Sequence, residues 1–137
     1  MGKRIADNAI PVSTPLNVTF FKAWLDFIVP LHGLPNRERV VMAHYLKKHY
    51  ELSKVIMNDA ILAQVLSDTS TKQDIMKACD LKASNLQVIL HKFKKNKVLV
   101  DGVIDPKLIP QITPEVEESG EFRLMVVFSL EKGGENE

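Results

Sequence analysis

The sequence predicts a mainly helical fold with a small β element, and three observations carry that expectation. Between positions 17 and 96 apolar residues recur at intervals of three and four, the period of helices that each bury one face. Within DIMKACDLKASNLQVILHKFKKNKVLV, residues 74–100, two short segments of this kind meet at a tight corner around residues 80–82. After Asn96 the period shortens to two, in KVLV and again in EFRLMVVFSLEK, as strands require.

A chain of 137 residues is one domain's length, large enough to bury a core without disulfides or metal. Cys79 is the single cysteine, so an intramolecular disulfide is excluded, and it reads as small apolar filler in a reducing compartment. The run FFKAWLDFIVPL is broken by Lys22, Asp26 and Pro30 and falls short of the ~20 residues of a membrane span. Lys3 and Arg4 are followed by no continuous apolar stretch, so no secretory signal is expected. A cytoplasmic protein with no membrane partner is the expectation, whether in a bacterial cell or in one infected by a virus.

Residues 1–16, with Pro11 and Pro15, read as an extended arm that orders only against something else. Phe20, Phe21, Trp24, Leu25, Phe27 and Ile28 place a helix over 17–28, capped by Asn17 or Thr19 and ending before Pro30. Its apolar face is wide, fitting either a helix packed across its own domain or one that meets a second chain. Asn36 offers the cap of a second helix, with Val40, Val41, Ala43, Tyr45 and Leu46 inward and Tyr50 and Leu52 beyond. NDAILAQVLSD gives a third, capped at Asn58 or Asp59. Ser70 and Thr71 stand as caps for a helix over 72–79, and Ala83 or Ser84 opens one that runs to about Asn96. Residues 101–120 read as a loop-rich segment with a DG turn and a brief strand or single helical turn near 106–109. Residues 133–137 read as a solvated tail.

Charge is distributed unevenly along a chain that is nearly neutral overall. Residues 71–100 hold seven lysines against two aspartates, a net +5, whereas residues 101–137 hold three bases against nine acids, a net −6. Helices followed by two strands around a loop is the element order of a winged helix, and residues 75–99 resemble the winged helix-turn-helix family of bacterial and phage DNA-binding proteins. Ile75 and Met76 stand at that family's first apolar pair, Cys79 closes the helix, and Leu81 is the apolar residue of the turn. Leu86, Leu90 and Phe93 take the inner positions of the recognition helix, and Val98 and Leu99 begin the wing. Two positions depart from the family pattern: Asp80 replaces the turn glycine and Lys82 the usual Ser or Thr cap. More loosely, the order FIVPLHGLPNRERVVMAHYLKKHY, helix-turn-helix and VDGVIDPKLIP resembles small proteins encoded by phages of gut bacteria. Such a resemblance implies a viral origin and either a regulatory role or a place in the particle.

The resemblance therefore implies a winged-helix domain over 17–132, with an extra N-terminal helix, a helix-turn-helix at 72–96 and a wing within 98–130, its strands at 98–104 and 121–130. On the helix after the corner, Ser84, Gln87, Val88, His91 and Lys92 share an outward face, with Asn85 at its edge. Asn and Gln pair bidentately with adenine, and lysine reaches guanine or phosphate. Lys82, Lys94, Lys95 and Lys97 would neutralise phosphates. The same lysines also suit a packed helix that needs only to stay soluble and to complement its own dipole.

Other chemistry finds little footing. His44 and His49 are five apart on one helix and face different ways, His32 falls in a loop, and His91 is on the helix surface, so no metal set forms. There is no GxSxG, P-loop, Rossmann glycine pattern or CxxC, and the acids of PEVEESGE read as a solvated loop; neither enzymatic activity nor a cofactor is expected. Trp24, Tyr45 and Tyr50 recur at core spacing rather than as stacking platforms for single strands. The leading expectation is a dimeric, double-stranded-DNA-binding transcriptional regulator of phage or bacterial origin. Its rival is a virion assembly component of a portal, tail or ring that packs on other virion proteins, and the proline-containing arm and acidic loop fit that role.

Overall fold

Asn17 starts the first helix: its Oδ1 accepts the Thr19 amide at 2.8 Å, satisfying one of the donors that a helix start leaves open. The computed structural model describes residues 10–132, and helix α1 spans Val18–Phe27. Helical structure does not stop before Pro30, as the sequence reading expects. A short α2, Val29–His32, follows with Pro30 in its first turn, where a missing N–H costs nothing. Gly33 closes it in the left-handed region at φ 63°. His32 braces this corner: the Leu34 amide donates to Nδ1 at 2.9 Å, which leaves Nε2 protonated to donate to the Leu25 carbonyl at 2.8 Å.

Helix α3, Asn36–Ser53, is the central element and packs against α1, α4 (Asp59–Leu66) and α5 (Thr69–Cys79). Pro35 rather than Asn36 occupies its cap position. Val41, Met42, Ala43, Tyr45 and Leu46 are buried along one side, while Val40 of the expected stripe is only half-buried. Arg39 ties its first turn to α1, donating from Nε to Asp26 at 2.7 Å and from Nη1 to the Leu34 carbonyl at 2.6 Å. Partial burial pushes the Asp26 carboxyl up, but hydrogen bonds and charge from Lys22 and Arg39 outweigh it and hold the group below its ordinary range.

Asn58 caps α4 by accepting the Ile61 amide at 3.0 Å. Helix α5 begins three residues earlier than the expected 72, with Asp68 at the cap position, so Ser70 and Thr71 lie inside it. Thr71 is buried with its hydroxyl satisfied, donating to the Val65 carbonyl of α4 at 2.7 Å. Helix α6 covers Ala83–Lys95. A hairpin follows: β1 (Leu99–Val100) and β2 (Val103–Ile104) pair antiparallel, Leu99 opposite Ile104 and Val100 opposite Val103. Asp101 and Gly102 at φ 51° and 83° make the two-residue turn that the DG pair announces. A Cβ at Gly102 would lie 1.9 Å from the Ala63 carbonyl oxygen, so only glycine lets this turn rest on α4.

A 3-10 turn, Pro106–Leu108, comes next, and its Leu108 carbonyl accepts Trp24 Nε1 at 2.9 Å, joining the end of the hairpin region to α1. Helix α7, Pro114–Ser119, forms in the segment read as a loop. Thr113 caps it, Pro114 sits in its first turn, and Gly120 ends it at φ 73°. On α7, Glu117 accepts the Tyr50 hydroxyl and pairs with Lys54 at 2.9 Å. These contacts, that of Tyr50 first, hold its carboxyl below the ordinary value.

The described residues are thus mainly helical with a small two-stranded antiparallel sheet, and their core runs from Phe21 and Leu25 through α3 to Phe93, Val98 and Leu108. Helix α1 turns its apolar face into this core, with Phe20 and Trp24 partly buried against it and Phe27 left exposed. One expectation needs correction. Residues 121–130 form no strand. The hairpin strands, two residues each, pair only with one another, so the alternating segment has no strand partner among the described residues. Only Phe122 docks, edge-on to Phe20 and Trp24 at ring-centroid distances of 5.3 and 5.5 Å. Of the expected arm, residues 10–15 form neither helix nor strand and Leu16 begins a turn, whereas residues 1–9 and the expected tail 133–137 fall outside the described residues.

Candidate nucleic-acid interface

The corner between α5 and α6 lies where the sequence places it, and the backbone shows how Asp80 serves without glycine. Asp80 adopts φ 54° and ψ 52°, its amide bonding to the Lys77 carbonyl at 3.4 Å, while the Leu81 amide reaches back to the Met76 carbonyl at 2.8 Å. That pair of bonds closes a helix in the Schellman manner, and Leu81 and Met76 are both packed on the core beside it. Lys82 is extended and gives α6 no side-chain cap, leaving the first amides of that helix open.

Helix α6 divides sharply into two faces. Leu86, Ile89 and Phe93 are buried and Leu90 is half-buried, as the helical spacing requires. Ser84, Asn85, Gln87, His91, Lys92, Lys94 and Lys95 are all exposed, as are Lys82 before the helix and Lys97 after it. All nine nominated residues therefore lie in solvent on or beside one helix. Val88, in the middle of this face, is 55% exposed.

The electrostatics separate Lys92 from the rest. Its Nζ lies 3.7 Å from the Glu38 carboxylate on α3, whose side chain is only 8% exposed. The sequence places Glu38 in the first turn of α3 but does not by itself announce the pairing. Its spacing of three and seven from Val41 and Tyr45 marks it as an inner position and is the signal that could have found it. Lys82, Lys94, Lys95 and Lys97 have no ion pair among the described residues, and α6 itself carries no acid. On α5, Asp74 is drawn toward α3 by Lys48 at 3.0 Å. The face therefore combines one hydroxyl, two amides and an imidazole with four cations free to meet an anion, a mixture suited to base edges flanked by phosphates.

Lys97 turns the chain out of this face. It is left-handed at φ 60°, and the Val98 amide bonds to the Phe93 carbonyl at 2.9 Å in a second Schellman closure. The hairpin that follows packs its turn on α4 through Gly102 instead of reaching beyond α6.

Four further titratable groups, His44, Tyr45, His49 and Cys79, are buried or half-buried. Burial holds the His44 and His49 imidazoles below their ordinary value, and burial raises the Cys79 thiol, which lowers its thiolate fraction. Tyr45, buried on α3, has its phenol pushed up to about 12, by burial first and then by Cys79. Among the described residues no three His, Cys, Asp or Glu side chains converge to hold a metal ion, and no helix is long and apolar enough to cross a membrane. Compared with known proteins, the chain matches no family model, no curated protein and no solved structure.

Proposed function

We propose that the chain is a non-enzymatic winged-helix protein that binds double-stranded DNA, as a transcriptional regulator of phage or bacterial origin, with α6 as the helix that enters the major groove. The observation that carries this reading is the exposed face of α6, where Ser84, Asn85, Gln87 and His91 stand among Lys82, Lys94, Lys95 and Lys97 with no acid on the helix. Contact runs through α6 rather than the hairpin, since the hairpin turn rests on α4. Lys92 contributes less charge than its neighbours because Glu38 offsets it.

Fluorescence anisotropy with a duplex across a salt series tests the proposal. Affinity falls steeply between low and moderate salt, and alanine at Lys82, Lys94, Lys95 and Lys97 together flattens the slope by roughly 0.9 for each phosphate no longer neutralised. A response independent of salt sinks it.

A second reading has its own support: an assembly protein of a virus particle that uses this fold to pack on other virion proteins. Apolar side chains stand in solvent outside helix and strand at Ile10, Val12 and Leu16, and again over 124–130, as segments ordered by neighbours would. Mass spectrometry of purified particles separates the two, because a structural part occurs there in fixed stoichiometry and a regulator does not.

A further inference from the structure

The segment over 121–130 has the alternation of a strand and no strand to pair with among the described residues. Leu124, Met125, Val126, Val127, Phe128 and Leu130 are 46, 84, 65, 74, 82 and 90% exposed, an apolar run that an isolated chain in water does not hold open without cost. We propose that this segment pairs antiparallel with the same segment of a second copy, about a two-fold axis at Val127, and so makes the chain a homodimer. The surface is separate from the α6 face, and the inference stands without the DNA reading.

The register follows from charge and from parity. In an antiparallel pair centred on Val127, position 123 lies opposite 131, 124 opposite 130, and 126 opposite 128. Arg123 of each copy then faces Glu131 of the other, giving two cross-strand ion pairs related by the axis. Leu124 faces Leu130 and Val126 faces Phe128, so all eight of these side chains project from one side of the ribbon. Moving the axis between Val126 and Val127 sets Arg123 against Leu130 and mixes the two faces, and moving it to Val126 or Phe128 keeps the faces but loses the Arg123–Glu131 pairs, so parity and charge together select one register. Within one chain Arg123 already donates to Glu121 at 3.0 Å, an exposed contact that the second carboxylate extends.

The apolar side also has a direction. Residues two apart share a face, and Phe122, of the same parity as Leu124 and Val126, lays its ring against Phe20 and Trp24. A strand continuing from Phe122 therefore turns its apolar side toward α1, whose Phe27 is 60% exposed, rather than toward solvent. Eight side chains at roughly 100 Å² each, together with the surface they cover, approach the 1,200–2,000 Å², in order of magnitude, that a stable interface buries. One arm laid on an unrelated partner supplies half as many.

The test uses the whole chain in sedimentation velocity over a range of concentrations. A dimer is expected. Arg123→Glu, which sets like charges opposite each other twice, weakens it about tenfold or more, and adding Glu131→Arg restores it. In a Cys79→Ser background, Val127→Cys cross-links to itself on mild oxidation, whereas Met125→Cys, opposite position 129, does not. Positions 123, 125, 127 and 131 lie in exposed chain, and the half-buried Cys79 takes a near-isosteric serine, so unchanged circular dichroism confirms that each variant folds. A monomer at every concentration overturns the inference, as does a dimer indifferent to the charge exchange or cross-linking equally at 125 and 127. Pairing of the segment only with another protein overturns it too. Alanine at Lys94 and Lys95 leaves the dimer intact, so failure here and failure of DNA binding are read separately.

Discussion

Helix α6 and the segment 121–130 carry the same instruction in two periods, and the molecule obeys only one of them. In α6, Leu86, Ile89 and Phe93 are 2, 6 and 0% exposed, whereas Leu124, Val126 and Phe128 on the alternating segment are 46, 65 and 82% exposed. The difference lies in where each finds its backbone partners. A helix bonds its amides to carbonyls four residues back, so α6 forms from its own residues and needs packing only to bury a stripe. A strand has nothing local to bond to, so its pattern stays unused until another strand arrives.

The largest test of that contrast is a pair of truncations. Phe93→Ala empties a fully buried site and should cost about 3–5 kcal/mol in urea denaturation. Phe128→Ala, measured at a concentration where the chain is monomeric, should change stability by less than about 0.5 kcal/mol. Equal losses would mean that the segment is packed in the monomer after all.

Backbone positions come next. Gly102→Ala forces a Cβ to 1.9 Å from the Ala63 carbonyl in a left-handed turn. The hairpin must leave α4, at a cost of roughly 2–3 kcal/mol in the same assay. Lys97→Gly acts in the opposite sense. It removes a side chain from a left-handed position at φ 60°, and the protein should gain roughly 1 kcal/mol. The glycine variant should also show a shallower salt slope for DNA, which separates the backbone role of Lys97 from its charge.

The smallest effect is on pH. His44 and His49 are held below their ordinary value of 6.5 by burial, so the unfolded chain binds their protons more readily than the folded one. Their contribution is fully present above pH 6.5 and is lost as pH falls through that value toward the folded ones. Thermal melts between pH 7.5 and 5, an interval of roughly two units about the ordinary histidine value, should show a decline. His44→Gln with His49→Gln flattens it, and an unchanged decline would place the titrating groups elsewhere.

Much of this was legible because helices announce themselves locally. Asn17 and Asn58 cap as their side chains dictate, and the corner at 80–82 stands where two apolar stripes change direction. Helix α7 was legible too, in Thr113, Pro114 and Gly120 at cap, first-turn and closing positions, but the prolines and acids around it read as loop. The burial of Glu38 was not legible, because a carboxylate in a first turn ordinarily faces water and only the approach of α6 brings Lys92 over it. The nine residues proposed for the interface are exposed because the inner positions of α6 are apolar, a division already present in the spacing.

By itself, then, the sequence determined that the five longer helices form, where the chain bends at Asp80 and Gly102, and which side of α6 is cationic. All of these depend on contacts within about four residues, through backbone bonds, caps and left-handed turns. Tertiary structure alone decided that the hairpin lies down on α4, that Glu38 offsets Lys92, and that the alternating segment finds no strand partner among the described residues. Those outcomes turn on which distant surfaces meet, and neither the period of a pattern nor the charge of a segment specifies its partner.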